Sequence, residues 1–107
     1  MVRVVINKDR DGNIYAFCAE GHAGGVYGKD IHCAAISAIM QTAVIGLSDH
    51  AGLKLELDIS DGYLECEFCK QEAAREDVKA ITGTMLLGLR SFQKENKRYL
   101  KLIEEVL

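Results

Sequence analysis

Proline and tryptophan are both absent from this chain of 107 residues, and aromatic residues make up only 7% of it. Because there is no proline, no ring constraint kinks a helix or removes a backbone donor from a strand. The formal net charge is only −3, which argues against a protein that binds nucleic acid through phosphate contacts. The richest apolar segment, residues 31–47, is interrupted by polar side chains, so it is not predicted to be a membrane span of about 20 apolar residues.

What is present is the composition of a globular protein, with 49% apolar and 27% charged residues. At this length the chain is predicted to form one domain, residues 1–107, around one modest core. The N-terminal residues lead directly into a predicted strand, without the long apolar core and small-residue cleavage site of a signal peptide. We therefore expect a cytoplasmic protein, in which the four cysteines stay reduced.

The alternation of apolar and polar residues predicts four β-strands. Residues 99–103 are ambiguous, because their propensity tolerates a helix while their alternation favours a short fifth strand. The first pair is joined by an Asp-Gly turn and the second pair by a Ser-Asp-Gly turn, in which glycine supplies a positive φ at low cost. In the third strand, the apolar residues from Leu53 to Ile59 are expected to face the core. The strands are predicted at residues 2–7, 14–20, 53–59, 64–68 and 99–103.

Two helices are predicted, at residues 31–50 and 72–96, and Gly52 is placed to end the first one. The first helix is apolar on more than one face, so it needs cover from the sheet and from a second helix or another subunit. The order ββαββα predicts an α+β fold, in which two main helices pack on an antiparallel or mixed sheet.

Residues 21–37 carry the most informative motif, Gly-His-Ala-Gly-Gly-Val-Tyr-Gly-Lys-Asp-Ile-His-Cys-Ala-Ala-Ile-Ser. Asp30 is placed to cap the first helix, which puts Cys33 in the first turn, where the macrodipole favours a thiolate. His22 could fold back over the sulfur and act as its base, while first-turn N–H groups stabilise an oxyanion. The glycines of the intervening loop, which give it freedom to admit a substrate, are Gly24, Gly25 and Gly28.

This motif resembles the signature of the bacterial ribosomal-processing cysteine proteases, the Prp family, in Gly-His-Ala and in Gly-x-Asp-Ile-x-Cys-Ala-Ala-x-Ser. The resemblance implies that His22 and Cys33 form a catalytic dyad with Asp30, Ser37 and Gly21 in supporting roles. It also implies a homodimer that removes the N-terminal extension of a large-subunit ribosomal protein, with cleavage after an aromatic residue. Neither a cofactor nor a metal is expected, and neither is direct binding to nucleic acid or to a membrane.

Two alternatives concern the dyad itself. His32 could replace His22 as the base, but adjacent residues on a helix project about 100° apart, so His32 is expected to turn away from the Cys33 sulfur. A cysteine in an apolar helix is also frequently a small core residue. The second alternative is therefore a non-catalytic ribosome-associated or protein-binding module with a structural Cys33.

A zinc site is the third alternative. Cys66-x-x-Cys69 could supply one ligand pair, and Cys18 together with His22 could supply the other. On a strand, however, residues three apart point to opposite faces. The sequence therefore predicts that Cys66 belongs to the core and that Cys69 lies near the end of its strand.

Overall fold

A computed structural model describes residues 1–22 and 30–106 of the chain. The elements are β1 (Val2–Lys8), β2 (Ile14–Glu20), α1 (Ile31–Ile45), a π-helical turn (Gly46–His50), β3 (Glu56–Ser60), β4 (Tyr63–Glu67), α2 (Lys70–Ala73), α3 (Glu76–Glu95) and β5 (Leu100–Val106). The strands in the described part form one sheet in the order β3-β4-β2-β1-β5, with β5 parallel to β1 and the other neighbours antiparallel. This mixed sheet with helices packed on it confirms the predicted α+β fold.

Helix α1 and the π-helical turn together span the predicted first helix. Gly52, with a φ of 70°, follows its last turn, as predicted for a C-terminal glycine. By length and composition alone, residues 31–50 are also apolar enough to cross a membrane, with a mean hydropathy of 1.6. A core helix meets the same criterion, and the side chains of Ile36, Met40 and Leu47 are buried in the hydrophobic core.

The prediction of one continuous second helix over residues 72–96 is wrong, because the chain forms two helices there, α2 and α3. Arg75 interrupts them with an extended backbone, at a φ of −63° and a ψ of 140°. Its guanidinium donates to the Ala51 carbonyl at 2.9 Å and to the Asp77 carboxylate at 2.6 Å. These tertiary and local contacts offset the helical hydrogen bonds that are lost at the break.

The C-terminal strand β5 is longer than predicted and pairs with β1 from Val2–Leu100 to Lys8–Val106. Glu104 links it to its neighbours, because its carboxylate accepts from Lys8 Nζ at 2.8 Å and from Arg90 Nη2 at 2.7 Å. The hydrogen bond from Arg90 is the main reason why the pKa of Glu104 lies below its usual range. A parallel strand at this edge needs a crossover, which α3 provides.

The prediction that the apolar residues of segment 53–59 face the core holds in part. Leu53 is buried and Leu55 packs against the core, but β3 begins only at Glu56 and its own apolar side chains are poorly covered. Leu57 pairs with Cys66 and Ile59 with Leu64, so both point to the face on which the helices pack. They are nevertheless 45% and 46% exposed, because β3 is an edge strand and the helices do not cover it. The alternation of apolar and polar residues predicts which side of the sheet each side chain points to. How much of that side is buried depends on where the helices pack in the tertiary structure.

Candidate active site

The first turn of α1 is built on Asp30, which is its N-cap as predicted. One carboxylate oxygen, Oδ1, accepts from the backbone N–H groups of His32 at 3.1 Å and Cys33 at 3.0 Å. The backbone carbonyl of Asp30 accepts from Ala34 N–H at 3.0 Å. This cap satisfies the donors that a helix N-terminus leaves without partners, and it fixes the position of the half-buried Cys33.

The same cap bears on one expectation about the chemistry. First-turn N–H groups are expected to stabilise an oxyanion, and in the structure those of His32 and Cys33 donate to the Asp30 carboxylate and that of Ala34 donates to the Asp30 carbonyl. A donor that is engaged in this way has to exchange its partner before it can stabilise a developing negative charge. The oxyanion role of the first turn therefore stays a prediction.

A groove of about 80 Å³ lies beside Cys33. Along α1 it is lined by Cys33, Ser37 and Gln41, which recur at intervals of four residues and so lie on one side of the helix. The Ser37 hydroxyl accepts a hydrogen bond from Gln41 Nε2 at 2.7 Å. The floor is apolar, and the opposite side is formed by the β3–β4 hairpin, which contributes Ile59, Ser60, Gly62 and Tyr63.

The ring of His22 lies against the β3–β4 turn. A Cβ atom placed on Gly62 would stand only 2.8 Å from His22 Nε2, so the imidazole lies directly beside this glycine. Gly62 and Cys33 line the same groove, so the exposed His22 ring lies beside one of the groove residues, although His22 is not itself part of the lining. The loop glycines of the prediction, Gly24, Gly25 and Gly28, lie outside the described residues.

Two backbone hydrogen bonds hold the His22 segment in place. The amino group of Met1 donates to the His22 carbonyl at 2.5 Å, and Gly21 N–H donates to the Gly62 carbonyl at 2.9 Å. Gly21 has a φ of 101°, and a Cβ there would come within 2.7 Å of the Met1 carbonyl oxygen. The supporting role predicted for Gly21 therefore has a steric cause, since only glycine fits both the conformation and the space.

His32 is engaged elsewhere. Its ring stacks on Tyr99, with centroids 3.6 Å apart and planes 11° apart, and it meets the edge of Phe92 at 6.3 Å. These contacts place His32 against α3 and the start of β5, as expected from its direction on the helix. The His22 ring instead lies beside Gly62, which is one of the residues that line the groove.

The remaining three thiols lie in different environments. Cys66 is fully buried, as predicted, and burial raises the pKa of its thiol to about 12. Burial is also the main reason why the pKa of Cys18 is raised. Cys69 is exposed at the start of α2 and donates to Gln71 Oε1 at 2.6 Å.

Within residues 1–22 and 30–106, no three His, Cys, Asp or Glu side chains come together as metal ligands.

Among the groove residues that sequence reasoning missed are Gln41, Ile59 and Gly62. Gln41 left a signal, because it is a polar residue two helical turns beyond Cys33 on a mainly apolar helix. Ile59 and Gly62 left none, since the sequence shows only a strand and a turn there. Their positions beside the groove follow from the packing of the β3–β4 hairpin next to α1.

The family described as cysteine protease Prp matches residues 1–101 of the chain. The chain is 27% identical over 112 aligned positions to the ribosomal processing cysteine protease Prp of Bacillus subtilis, with both chains covered completely. It is 26% identical over 106 positions to the protein of the same name from Staphylococcus aureus, with 95% of this chain and 97% of the relative covered.

Solved structures share the fold. A Staphylococcus aureus Prp with a covalently linked product peptide superimposes with a TM-score of 0.89 at 24% identity, over 98% of this chain and all of the other. The same protease with a substrate peptide gives a TM-score of 0.85 at 23% identity, again over 98% of this chain and all of the other. A Streptococcus mutans protein gives 0.81 at 24% identity, over all of this chain and 96% of the other.

A cysteine at a capped helix N-terminus, on an apolar groove bordered by a histidine, is the arrangement of a cysteine peptidase on an α+β fold. The match over residues 1–101 shows which family of cysteine peptidases this is. The chain belongs to the cysteine protease Prp family.

Proposed function

We propose that this cysteine protease removes the N-terminal extension of a large-subunit ribosomal protein, and that Cys33 and His22 carry out the cleavage. The observation that supports the proposal is the groove, because Cys33 and Gly62 both line it and the His22 ring lies beside Gly62. The ribosomal substrate is supported by the names of the relatives from Bacillus subtilis and Staphylococcus aureus.

The proposed reaction is acyl transfer in two steps. His22 takes the proton of the Cys33 thiol, and the sulfur attacks the scissile carbonyl carbon. The tetrahedral adduct collapses as the C–N bond breaks, and His22 returns the proton to the leaving amine. Water, with its proton taken by His22, then hydrolyses the thioester and restores the thiol. In this scheme Asp30 holds the first turn of α1 and thereby the position of the nucleophile.

The shape of the groove suits an extended peptide. Its polar side, Ser37 and Gln41, lies along α1 and can hydrogen-bond a peptide backbone. Its apolar residues, including Ile36, Met40 and Ile59, can receive an apolar or aromatic side chain. This arrangement supports cleavage next to an aromatic residue, which is the preference that the family resemblance implies.

The test is cleavage of a synthetic peptide that spans the N-terminal extension of the organism's own large-subunit ribosomal protein, followed by mass spectrometry. We expect the wild-type protein to cut at one bond next to an aromatic residue and Cys33→Ala to leave the peptide intact. Cys69→Ala is the matched control, because this thiol is exposed outside the groove, and it should retain full turnover. Cleavage by Cys33→Ala would contradict the dyad.

Alkylation of the folded protein separates this proposal from a binding module with a structural cysteine. Iodoacetamide should modify Cys33 faster than Cys69 at neutral pH, and His22→Ala should slow the modification of Cys33 alone. Slow modification of Cys33, insensitive to His22, together with an intact peptide would favour the binding module.

We also propose that the protein is cytoplasmic. All four cysteines are free thiols, as expected in a reducing compartment. Fractionation of cells should recover the protein in the soluble fraction. Recovery in the membrane fraction would instead make the apolar stretch of residues 31–50 a membrane segment.

A homodimer is the third part of the proposal, and the outer faces of α1 and α3 support it. A shallow depression of about 660 Å³ between the two helices is lined by small and apolar residues, among them Ala38, Gly46 and Gly88. Ile45 and Leu87 are 59% and 64% exposed on the same two helices. Small residues let helices approach closely, and exposed apolar side chains favour burial against a partner.

A further inference from the structure

Gly62 in the β3–β4 turn has two independent reasons to be glycine. Its φ of 70° lies in the left-handed region, which side chains rarely adopt. A Cβ there would also stand 2.8 Å from His22 Nε2 and 3.1 Å from His22 Cε1. Gly52 has the same φ of 70° but no atom within 4 Å of such a Cβ. The two glycines therefore share a backbone conformation, and they differ in that only a Cβ at Gly62 would collide with a neighbouring side chain.

The atoms that a Cβ at Gly62 would meet belong to the imidazole of His22. The backbone of this histidine is held by the contacts from Met1 and by the hydrogen bond between Gly21 and Gly62. A collision at Gly62 would therefore be relieved by rotation of the His22 side chain. The expected result is a folded protein with a displaced ring.

We propose that Gly62 is a positioning residue, which leaves room for the His22 imidazole at the edge of the groove that contains Cys33. This inference rests on the proposed function, since it concerns the group that acts there as the base. Gly62 itself touches neither the thiol nor the scissile bond in the proposed reaction. It acts through the orientation of His22, and any side chain at this position would turn the ring away from its place.

The experiment compares Gly62→Ala with Gly52→Ala. Both substitutions place a Cβ on a backbone with a φ of 70°, so both should lower the melting temperature by a similar amount. Only Gly62→Ala should reduce kcat for the substrate peptide, by up to about 10²-fold, which is the effect of displacing a reacting group by about 1 Å. KM should change little, because the apolar part of the groove is intact.

Two further readouts separate positioning from a general loss of stability. The ring signals of His22 in a proton–carbon NMR spectrum should shift in Gly62→Ala and stay in place in Gly52→Ala. In a His22→Ala background, Gly62→Ala should reduce the residual turnover no further, because a residue that acts through the imidazole has nothing left to position.

The outcomes distinguish this inference from the proposed function. A wild-type protein that leaves the peptide intact would contradict the proposed function. If the wild type cleaves and Gly62→Ala matches Gly52→Ala in kcat, the positioning role is wrong and the dyad is unaffected. An additional loss caused by Gly62→Ala in the His22→Ala background would likewise overturn the positioning role.

Discussion

At the scale of single residues, the two histidines near Cys33 differ in what holds their rings. His22 lies beside Gly62 at the groove, and its backbone is tied to Met1. His32 precedes Cys33 in the chain, but its ring is stacked on Tyr99. Proximity in sequence would favour His32 as the base, whereas the direction of each side chain favours His22.

This difference predicts opposite effects of two alanine substitutions. His22→Ala should lower kcat by about 10²-fold or more, since it removes the general base, and should leave thermal stability nearly unchanged because the side chain is exposed. His32→Ala should keep kcat close to wild type and lower the free energy of unfolding by about 1 kcal/mol, through loss of the aromatic stacking. Steady-state kinetics and urea denaturation of both variants provide the test. The reverse ranking in kcat would identify His32 as the base.

Asp30 shows how one side chain serves two purposes at this scale. Its carboxylate caps α1 and holds the backbone of Cys33. The same hydrogen bonds engage N–H groups that a sequence-based interpretation assigns to the oxyanion. The sequence predicts that Asp30 caps α1. It does not show that the N–H groups of His32 and Cys33 both donate to one carboxylate oxygen of Asp30.

At the scale of secondary-structure elements, the β3–β4 hairpin does more than complete the sheet. Its turn supports His22, and its edge strand presents apolar side chains beside α1. Leu57 and Ile59 lie on the same face of β3 and are almost equally exposed, at 45% and 46%. Only Ile59 lines the groove that contains Cys33.

These two residues provide a matched test of the substrate groove. Ile59→Ala should raise KM for the substrate peptide by about tenfold, corresponding to about 1–1.5 kcal/mol of lost apolar contact with the bound side chain. Leu57→Ala removes a similar area from the same strand and should leave KM unchanged. Steady-state peptide cleavage assays measure KM for both variants. Equal effects of the two substitutions would show that the peptide does not lie along Ile59.

At the scale of the whole molecule, the helical layer leaves apolar surface uncovered on its outer side. The proposed dimer would bury Leu87, which is 64% exposed on α3, whereas Val106, which is 63% exposed, belongs to strand β5 and not to the two helices. Leu87→Glu should therefore convert a dimer into a monomer, because a buried unpaired charge is costly at an interface. Val106→Glu should leave the mass unchanged. Light scattering coupled to size-exclusion chromatography measures both, and a monomeric wild-type protein would contradict the proposal.

Much of the architecture was predictable, because local patterns determine local structure. The alternation in residues 2–7 and 14–20 predicts β1 and β2, Asp30 predicts the start of α1, and the last strand was also anticipated. The break between α2 and α3 was not, because it depends on Arg75 reaching the carbonyl of Ala51. Sequence periodicity contains no information about such a contact between distant parts of the chain.

The sequence by itself determined the local setting of Cys33, in the first turn of a helix that Asp30 caps, since a cap and a first turn are local features. It also determined which face of each strand is apolar, because side chains alternate along a strand. The tertiary structure decided that the His22 ring lies beside Gly62, that the His32 ring stacks on Tyr99, and which N–H groups donate to Asp30. Each of these depends on surfaces that meet only after the β3–β4 hairpin and α1 have packed on the same sheet.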